Sequence, residues 1–587
     1  MIKELIFHEF VRKNAWKYAL GITILVASSF TQLVIPKLLG YIIDCLKLRS
    51  LSQHQIVWIT LQMLGISAVL FLLKNGWRYL LIGRARDLEC FLRAKLFAHL
   101  QTLPVQFYNN KKTGDLMAYA INDLNAVRQA FAFGLVFLID GIIVNLASVV
   151  VMVKTIHPVL TAVALGPIIL AVVVIVGLKQ PIRQNFTKVQ ESFANISEKT
   201  QENITGIRVV KAYVQEEAEI AKIKAAGQLR VDAQLAYVKL SALLVPAVQV
   251  CFGVSYTLVL IIGSAYVAKG VISLGDFIAF NTYLALLSGP VNNTGKLVEV
   301  WQRALASMKR LDDILITKTN IVDDHPTFSE PRLAGQVRIN DLNFTYPGTR
   351  RRALKEINIE LAAGKTLAVI GKTGSGKTTL INLLLRLYPV ERGHIFLDGK
   401  DINDIPIATI RDNIGCVPQD NFLFSASIKE NIEFFRPEYS DEAIEEAAKM
   451  SSVYENIVDF PEGFETVVGE RGVTLSGGQK QRISIARALI KDPAILVLDD
   501  SLSAVDTQTE EAILGNIKAV LKGRTGIIIA HRVSTIKHAD EIIVLERGRI
   551  VERGAHETLL SLQGYYYRLY QSQLAETNLT LMEETAI

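Results

Sequence analysis

The chain is poor in cysteine, poor in charge and, over long tracts, nearly devoid of polar residues. Its 587 residues include four cysteines. Cys45, Cys90, Cys251 and Cys416 lie too far apart for a Cys-x-x-Cys metal knuckle and are too few for a disulfide framework, so they read as small apolar side chains. Charged residues make up 20% of the chain against 50% hydrophobic, which is apolar for a soluble protein of this size, and the length excludes a single core. The net charge of +6 does not point to nucleic acid, because Lys and Arg gather between the apolar tracts. A convincing A-x-A cleavage site is also lacking around residues 20–36, so this first apolar stretch reads as a retained span and not as a signal peptide.

What is present in the first half is a series of uncharged tracts, at residues 18–36, 50–73, 155–178, 240–268 and 277–295. Each is long enough to cross about 30 Å of hydrocarbon as a helix. Residues 129–153 are apolar except for Asp140 and count as a sixth span, since an even number of crossings returns the chain to its starting side. The basic residues concentrate in the N-terminal segment and in residues 74–128 and 179–239, which places those parts, and the N-terminus, in the cytoplasm. The two long connections keep helical periodicity with little Gly or Pro, so they read as helices projecting beyond the bilayer. Residues 109–115 interrupt the first; Thr205-Gly206 and then residues 212–217 interrupt the second. Asp140 is costly at bilayer depth and must face a cavity or a partner. It is a candidate for a substrate path, by recognising a cationic compound or a proton, or else an interhelical hydrogen-bonding group.

Past residue 331 the pattern changes to alternating strands and helices, as in a parallel α/β sheet. A short apolar strand at 367–370 is followed by Gly371, Lys372, Thr373, Gly374, Ser375, Gly376, Lys377 and Thr378, then by Thr379 and an apolar helix to 387. This is G-x4-G-K-T in its required strand–loop–helix setting. Glycines let backbone N–H groups point at phosphates, Lys377 neutralises the β and γ oxygens, and the Thr378 hydroxyl reaches Mg²⁺. A second apolar strand ends in Asp499 and Asp500, and Asp499 suits a hard cation's oxygen shell.

Leu475-Ser476-Gly477-Gly478-Gln479, shortly before the Asp499 strand, resembles the signature of ABC ATPases, and nearly the whole chain then resembles one family, the type IV ABC exporters. The resemblance assigns Tyr346 to stacking on adenine, Gln419 to the Q-loop and the Mg²⁺ shell, Asp506 to the D-loop and His531 to the switch histidine. Residues 469–472 resemble the segment that precedes the signature in exporters. Taken singly, Tyr346 also fits a packed strand residue, Gln419 a surface polar side chain and His531 a structural histidine. The resemblance implies a multi-domain chain: an all-α polytopic transmembrane domain of six helices (1–317), a linker (318–335), an α/β P-loop ABC ATPase domain (336–570) and a C-terminal tail (571–587). It implies ATP and Mg²⁺ as cofactors and the cell membrane as location. It also implies coupling segments at Thr113, Gly114, Asp115 and Leu116 and at Tyr213, Val214, Gln215 and Glu216. The signature opens an Arg-rich helix whose amides form an anion site, and in the family the phosphate bound there belongs to the opposing domain. The spans exclude the soluble DNA-repair ATPases with similar signatures.

One position departs from the family pattern. After the Mg²⁺ aspartate the family usually has Glu, which polarises the attacking water, and this chain has Asp500. The carboxylate is withdrawn by about 1.5 Å, one C–C bond, and a general base must lie within hydrogen-bond reach. The expectation is a slow site that resembles those in degenerate-site subunits of bacterial heterodimeric multidrug exporters. The expected partners are a second, non-identical half-transporter with Glu after its Walker B Asp, the lipid bilayer and hydrophobic small-molecule substrates, with no nucleic acid. Asp500 as a tolerated base in a homodimer is the alternative, as is a lipid or peptide exporter, or a regulatory ATP-binding partner with little hydrolysis of its own.

Overall fold

The computed structural model describes residues 1–47, 53–323, 332–436, 438–469, 475–500, 515 and 519–585. Asp506 of the expected D-loop and residues 470–472 of the segment before the signature lie outside them. Two compact units are present: residues 1–101 with 113–317, and residues 102–112 with 318–587.

The first unit is built of long helices: α1 (Ile2–Lys47), α2 (Val57–Thr102), α3 (Thr113–Ile156), α4 (Pro158–Thr205) and α5 (Glu216–Ala268), then α6 (Leu274–Ile316). The first five are each long and apolar enough to cross a membrane. At 1.5 Å per residue, the 48 residues of α4 reach about 72 Å, more than twice the hydrocarbon thickness, so the expectation of projecting helices holds. Pro36, Pro167, Pro181 and Pro246 sit inside these helices, as transmembrane helices tolerate.

Small residues and isolated hydrogen bonds hold the helices together, as expected where lipid removes the hydrophobic drive between them. Gly275 lies so close to α1 that a Cβ there would meet the Gly40 carbonyl oxygen at 2.0 Å. Beside it the Asp44 carboxylate accepts from the Gly275 N–H at 2.7 Å, capping α6. The Ser255 hydroxyl donates to the Ala164 carbonyl (2.7 Å) and the Tyr283 hydroxyl to the Leu33 carbonyl (2.8 Å). At the far end of α6, Asp123 is buried and accepts from Ser307 (2.8 Å) and from Arg310 Nε (3.0 Å).

In the second unit the expected parallel sheet is present and is joined by a smaller sheet that the alternating pattern did not announce. The main strands are β3 (Thr366–Ile370), β6 (Ile414–Val417), β7 (Ile495–Asp499), β8 (Thr525–Ile529), β9 (Glu541–Glu546) and β10 (Arg549–Gly554), in the order β10-β9-β3-β8-β7-β6, parallel except for β10. The smaller sheet, β2-β1-β4-β5, is antiparallel and formed by β1 (Val337–Thr345), β2 (Arg352–Leu361), β4 (Ile395–Leu397) and β5 (Lys400–Asp401). Alternate residues of β3 and β7 enter different cores: Leu367, Val369, Ile495 and Val497 join the antiparallel sheet, while Ala368, Ile370, Leu496 and Leu498 face helices on the other side. Burial on both faces explains why these strands read as unbroken apolar runs. Among the helices of this unit are α7 (Lys377–Leu384), α8 (Gly477–Leu489) and α9 (Tyr565–Thr585).

Candidate nucleotide site

The phosphate loop leaves β3 at Gly371, and its backbone demands the glycines at three places. A Cβ at Gly371 would lie 2.2 Å from the Leu545 carbonyl oxygen, and Gly374 and Gly376 take φ of +77° and +110°, where side chains are strained. Lys377, the first residue of α7, is buried and donates to the Gly371 carbonyl at 2.7 Å and the Lys372 carbonyl at 3.3 Å. Burial lowers its pKa, and the neighbouring Asp499 and Asp500 act in the opposite direction.

A cavity of about 390 Å³ gathers most of the residues singled out in the sequence: Tyr346, residues 373–379, Gln419, Asp499, Asp500 and His531. The Tyr346 hydroxyl bonds Oγ1 of Thr379, the residue directly after the phosphate loop, at 2.9 Å, and its ring meets Tyr388 edge-on at 5.0 Å. Asp499 at the end of β7 is buried. Burial raises its pKa, and a hydrogen bond from the Thr378 hydroxyl lowers it. Thr378, Asp499 and Gln419 all line the cavity, and their side-chain oxygens are a donor set that would suit Mg²⁺. Ser375 Oγ is buried without a hydrogen-bond partner on the same loop, as an atom waiting for a phosphate oxygen would be.

Asp500 follows β7 with φ +48°, a left-handed conformation, and its N–H bonds the Ile529 carbonyl at 2.9 Å. This turns its side chain toward the cavity, where Oδ2 lies 3.9 Å from His531 Nε2. That is beyond hydrogen-bond range.

The signature is placed differently. Ser476 caps α8: its hydroxyl accepts from the Gln479 N–H (3.2 Å), while the Gln479 side chain accepts from the Ser476 N–H (3.0 Å). Leu475 is buried beneath the cap, and Gly477 and Gly478 leave their amides at an exposed helix start. None of residues 475–479 lines the cavity.

Three cavity arginines escaped the sequence reading: Arg351, Arg352 and Arg547. The first two belong to a run of three arginines just past Tyr346, a signal that could have been used. Arg547 arrives from the β9–β10 turn, and nothing in its local sequence announces it.

Of the expected coupling residues, Tyr213, Val214 and Gln215 form the turn between α4 and α5, after the short helix Ile207–Ala212. Tyr213 and Val214 are 73% and 80% exposed, Val214 at φ +53°, and Glu216 opens α5 with an ion pair to Lys211 at 3.0 Å. Thr113, Gly114, Asp115 and Leu116 form the first turn of α3, so the reversal itself lies earlier. Pro104 disfavours helix at Leu103 and ends α2, and a short helix, Val105–Asn109, occupies the turn. Within the second unit, Asn109 Nδ2 donates to the Tyr388 hydroxyl at 3.0 Å. Asp140 of α3 accepts from the Ser29 hydroxyl of α1 at 2.8 Å, the interhelical alternative among its readings.

Comparison with known proteins agrees with this arrangement. A family model described as the ABC transporter transmembrane region matches residues 18–291, and one described as ABC transporter matches residues 354–503. A probable multidrug resistance ABC transporter ATP-binding/permease protein of Bacillus subtilis, YheI, is 36% identical over 564 residues, 96% of each chain. The multidrug resistance-like ATP-binding protein MdlA of Escherichia coli is 35% identical over 97% of this chain and 96% of its own. An ATP-dependent lipid A-core flippase of Syntrophus aciditrophicus is 33% identical over 89% of this chain and 87% of its own. A bacterial Atm1-family ABC exporter solved with ATP bound superposes with a TM-score of 0.77 at 27% identity, covering 96% of this chain and 99% of that one.

Proposed function

Because this chain belongs to the ABC transporter family, as a type IV exporter with its transmembrane region and ATPase in one polypeptide, we propose that it is one half of a heterodimeric exporter of hydrophobic or amphipathic compounds. Its own Walker motifs then form a slow ATP site. It lies in the plasma membrane with the N-terminus and ATPase in the cytoplasm, as the basic connections indicate.

The observation that carries this reading is Asp500, whose side chain lines the cavity at the position the family gives to the water-polarising base. ATP enters with its adenine against Tyr346 and its phosphates on the 371–378 loop. Lys377 offsets the charge on the β and γ oxygens, and Thr378, Asp499 and Gln419 would hold Mg²⁺, which would supply positive charge to offset that of the phosphates. His531 faces the terminal phosphate. Asp500, one bond short, aligns the attacking water poorly, and loss of a general base costs about 10²- to 10⁴-fold.

The signature supports a two-chain arrangement. Its amides open α8 away from the cavity, so they serve a phosphate held by another chain, and this chain's site waits for the partner's signature. An intact signature beside a weakened base suits a chain that completes a partner's fast site. Tyr388 touches both Tyr346 and Asn109, a route by which nucleotide occupancy reaches the α2–α3 turn.

Asp500→Glu tests the reading in the assembled transporter. Restored reach should raise ATP turnover at least tenfold, while no gain would return Asp500 to the status of a tolerated residue. Similarity to a lipid A-core flippase favours a second reading, lipid as cargo; ATP-dependent movement of fluorescent lipid against that of cationic dyes in inverted vesicles separates the two.

A further inference from the structure

The C-terminal segment past residue 570 carries no motif and was set apart from the ATPase domain on sequence, yet it continues as α9 and reaches the catalytic side of the fold. The start of α9 is firmly held. Glu552 accepts from the Tyr566 N–H at 3.0 Å and from the Tyr565 N–H, satisfying amides that a helix start leaves open. Tyr566 is fully buried, its hydroxyl 2.7 Å from His556 Nδ1, and Tyr565 lies 5.9 Å beneath the ammonium of Lys372 in the phosphate loop. Residues 566, 569, 570 and 573 follow the 3–4–7 spacing of one helix face. Tyr566, Leu569 and Tyr570 pack into the core beneath the parallel sheet, and the fourth position of the stripe is a glutamine.

Gln573 uses both ends of its amide. Nε2 donates to the His531 carbonyl at 2.8 Å, and Oε1 accepts from the Val533 N–H at 2.8 Å. Val533 begins the short helix Val533–Ile536, so one side chain satisfies a helix-start amide and grips the carbonyl of the residue whose ring lines the nucleotide cavity. His531 is itself 45% exposed at its side chain, so packing holds its ring only in part.

We infer that Gln573 is a positioning residue for His531: its two-point hold sets the switch histidine toward the terminal phosphate, and so makes the site prefer nucleoside triphosphate over diphosphate. The inference rests on the reading of His531 as the group that meets the terminal phosphate. A glutamine is required chemically, because the hold needs a donor and an acceptor on one planar group at this reach. Glutamate keeps only the acceptor, and asparagine is one methylene short.

The test is nucleotide affinity, which does not depend on the slow hydrolysis expected of this site. Full-length chain in nanodiscs, in whatever assembly it forms, is titrated with Mg²⁺–AMP-PNP and with Mg²⁺–ADP by displacement of a fluorescent ATP analogue. H531A should weaken AMP-PNP five- to tenfold and leave ADP within twofold. Q573A should do the same, Q573E should fall between Q573A and the unmodified chain, and the double variant H531A/Q573A should lose no more than either single change. Equal loss of both nucleotides in Q573A would mark Gln573 as a packing residue and overturn the inference. So would an unchanged preference in Q573A where H531A shows a loss. If H531A itself leaves the preference intact, the role given to His531 falls, and the inference falls with it. The unfolding temperature of each variant shows whether α9 remains docked.

Discussion

The two units handle the same residue types in opposite ways. In the nucleotide-binding unit Ile495, Leu496, Val497 and Leu498 are at most 1% exposed, whereas in the helical unit Leu64, Phe71, Leu146 and Val176 are 62–69% exposed. Lipid is the solvent of the second set, so apolar side chains there need no protein partner, and what distinguishes the helix interfaces is small residues and single polar contacts. In the nucleotide-binding unit, water surrounds the protein. The apolar residues therefore segregate into cores on each face of the sheet, and the polar residues left inside mark the site. Function is thus concentrated in a few side chains in one unit and distributed over shape in the other.

This contrast makes graded predictions. The largest effect belongs to Lys377→Ala, which should weaken ATP binding at least ~100-fold with little change in unfolding temperature, read by nucleotide titration; retained affinity would break the concentrated half of the contrast. Next is Asp123→Asn in the helical unit. Asp123 is buried and Arg310 half-exposed, so losing the pair should cost about 1–3 kcal/mol of stability, seen as a lower unfolding temperature with ATP binding intact. Smaller still is Asp140→Asn. Interhelical hydrogen bonds in membranes are worth about 0.6 kcal/mol on average, so a small stability loss with transport preserved is expected from the Ser29 contact. Loss of transport without loss of stability would instead place Asp140 on the substrate path.

The smallest effect is a pH dependence. Burial raises the Asp499 pKa, so as pH falls its protonated, non-ligating form appears at a higher pH than for a free carboxylate. The Mg²⁺ concentration needed for half-maximal ATP binding should therefore rise as pH falls into the acid range, by a few fold, and Asp499→Asn should abolish that dependence.

The contrast also governs what the sequence reveals. Phosphate chemistry restricts residue types, so Gly371, Lys377, Thr378 and Asp499 could be named from their letters and spacing. The projecting helices were legible for a similar reason, because only long uncharged tracts cross lipid. The first reversal between long helices starts before the 109–115 interruption read from the sequence, because proline's geometry ends α2 ahead of Pro104, whereas Asn109-Asn110 and Lys111-Lys112 carry the stronger turn signal. Arg547 and Gln573 were invisible, since each reaches the site from a distant element through tertiary packing. The antiparallel sheet was missed because β4 and β5 are only three and two residues long, too short to show alternation.

The central claim is that this chain's site is slow because the Asp500 carboxylate falls short of the water and because another chain must close the site. The most direct measurement is ATP turnover by the purified chain alone in nanodiscs, set beside the chain co-assembled with a half-transporter that carries Glu after its Walker B Asp. The account predicts near-background hydrolysis for the chain alone and at least a tenfold higher rate for the mixed assembly. Brisk hydrolysis by the chain alone, unchanged by the second subunit, would contradict it.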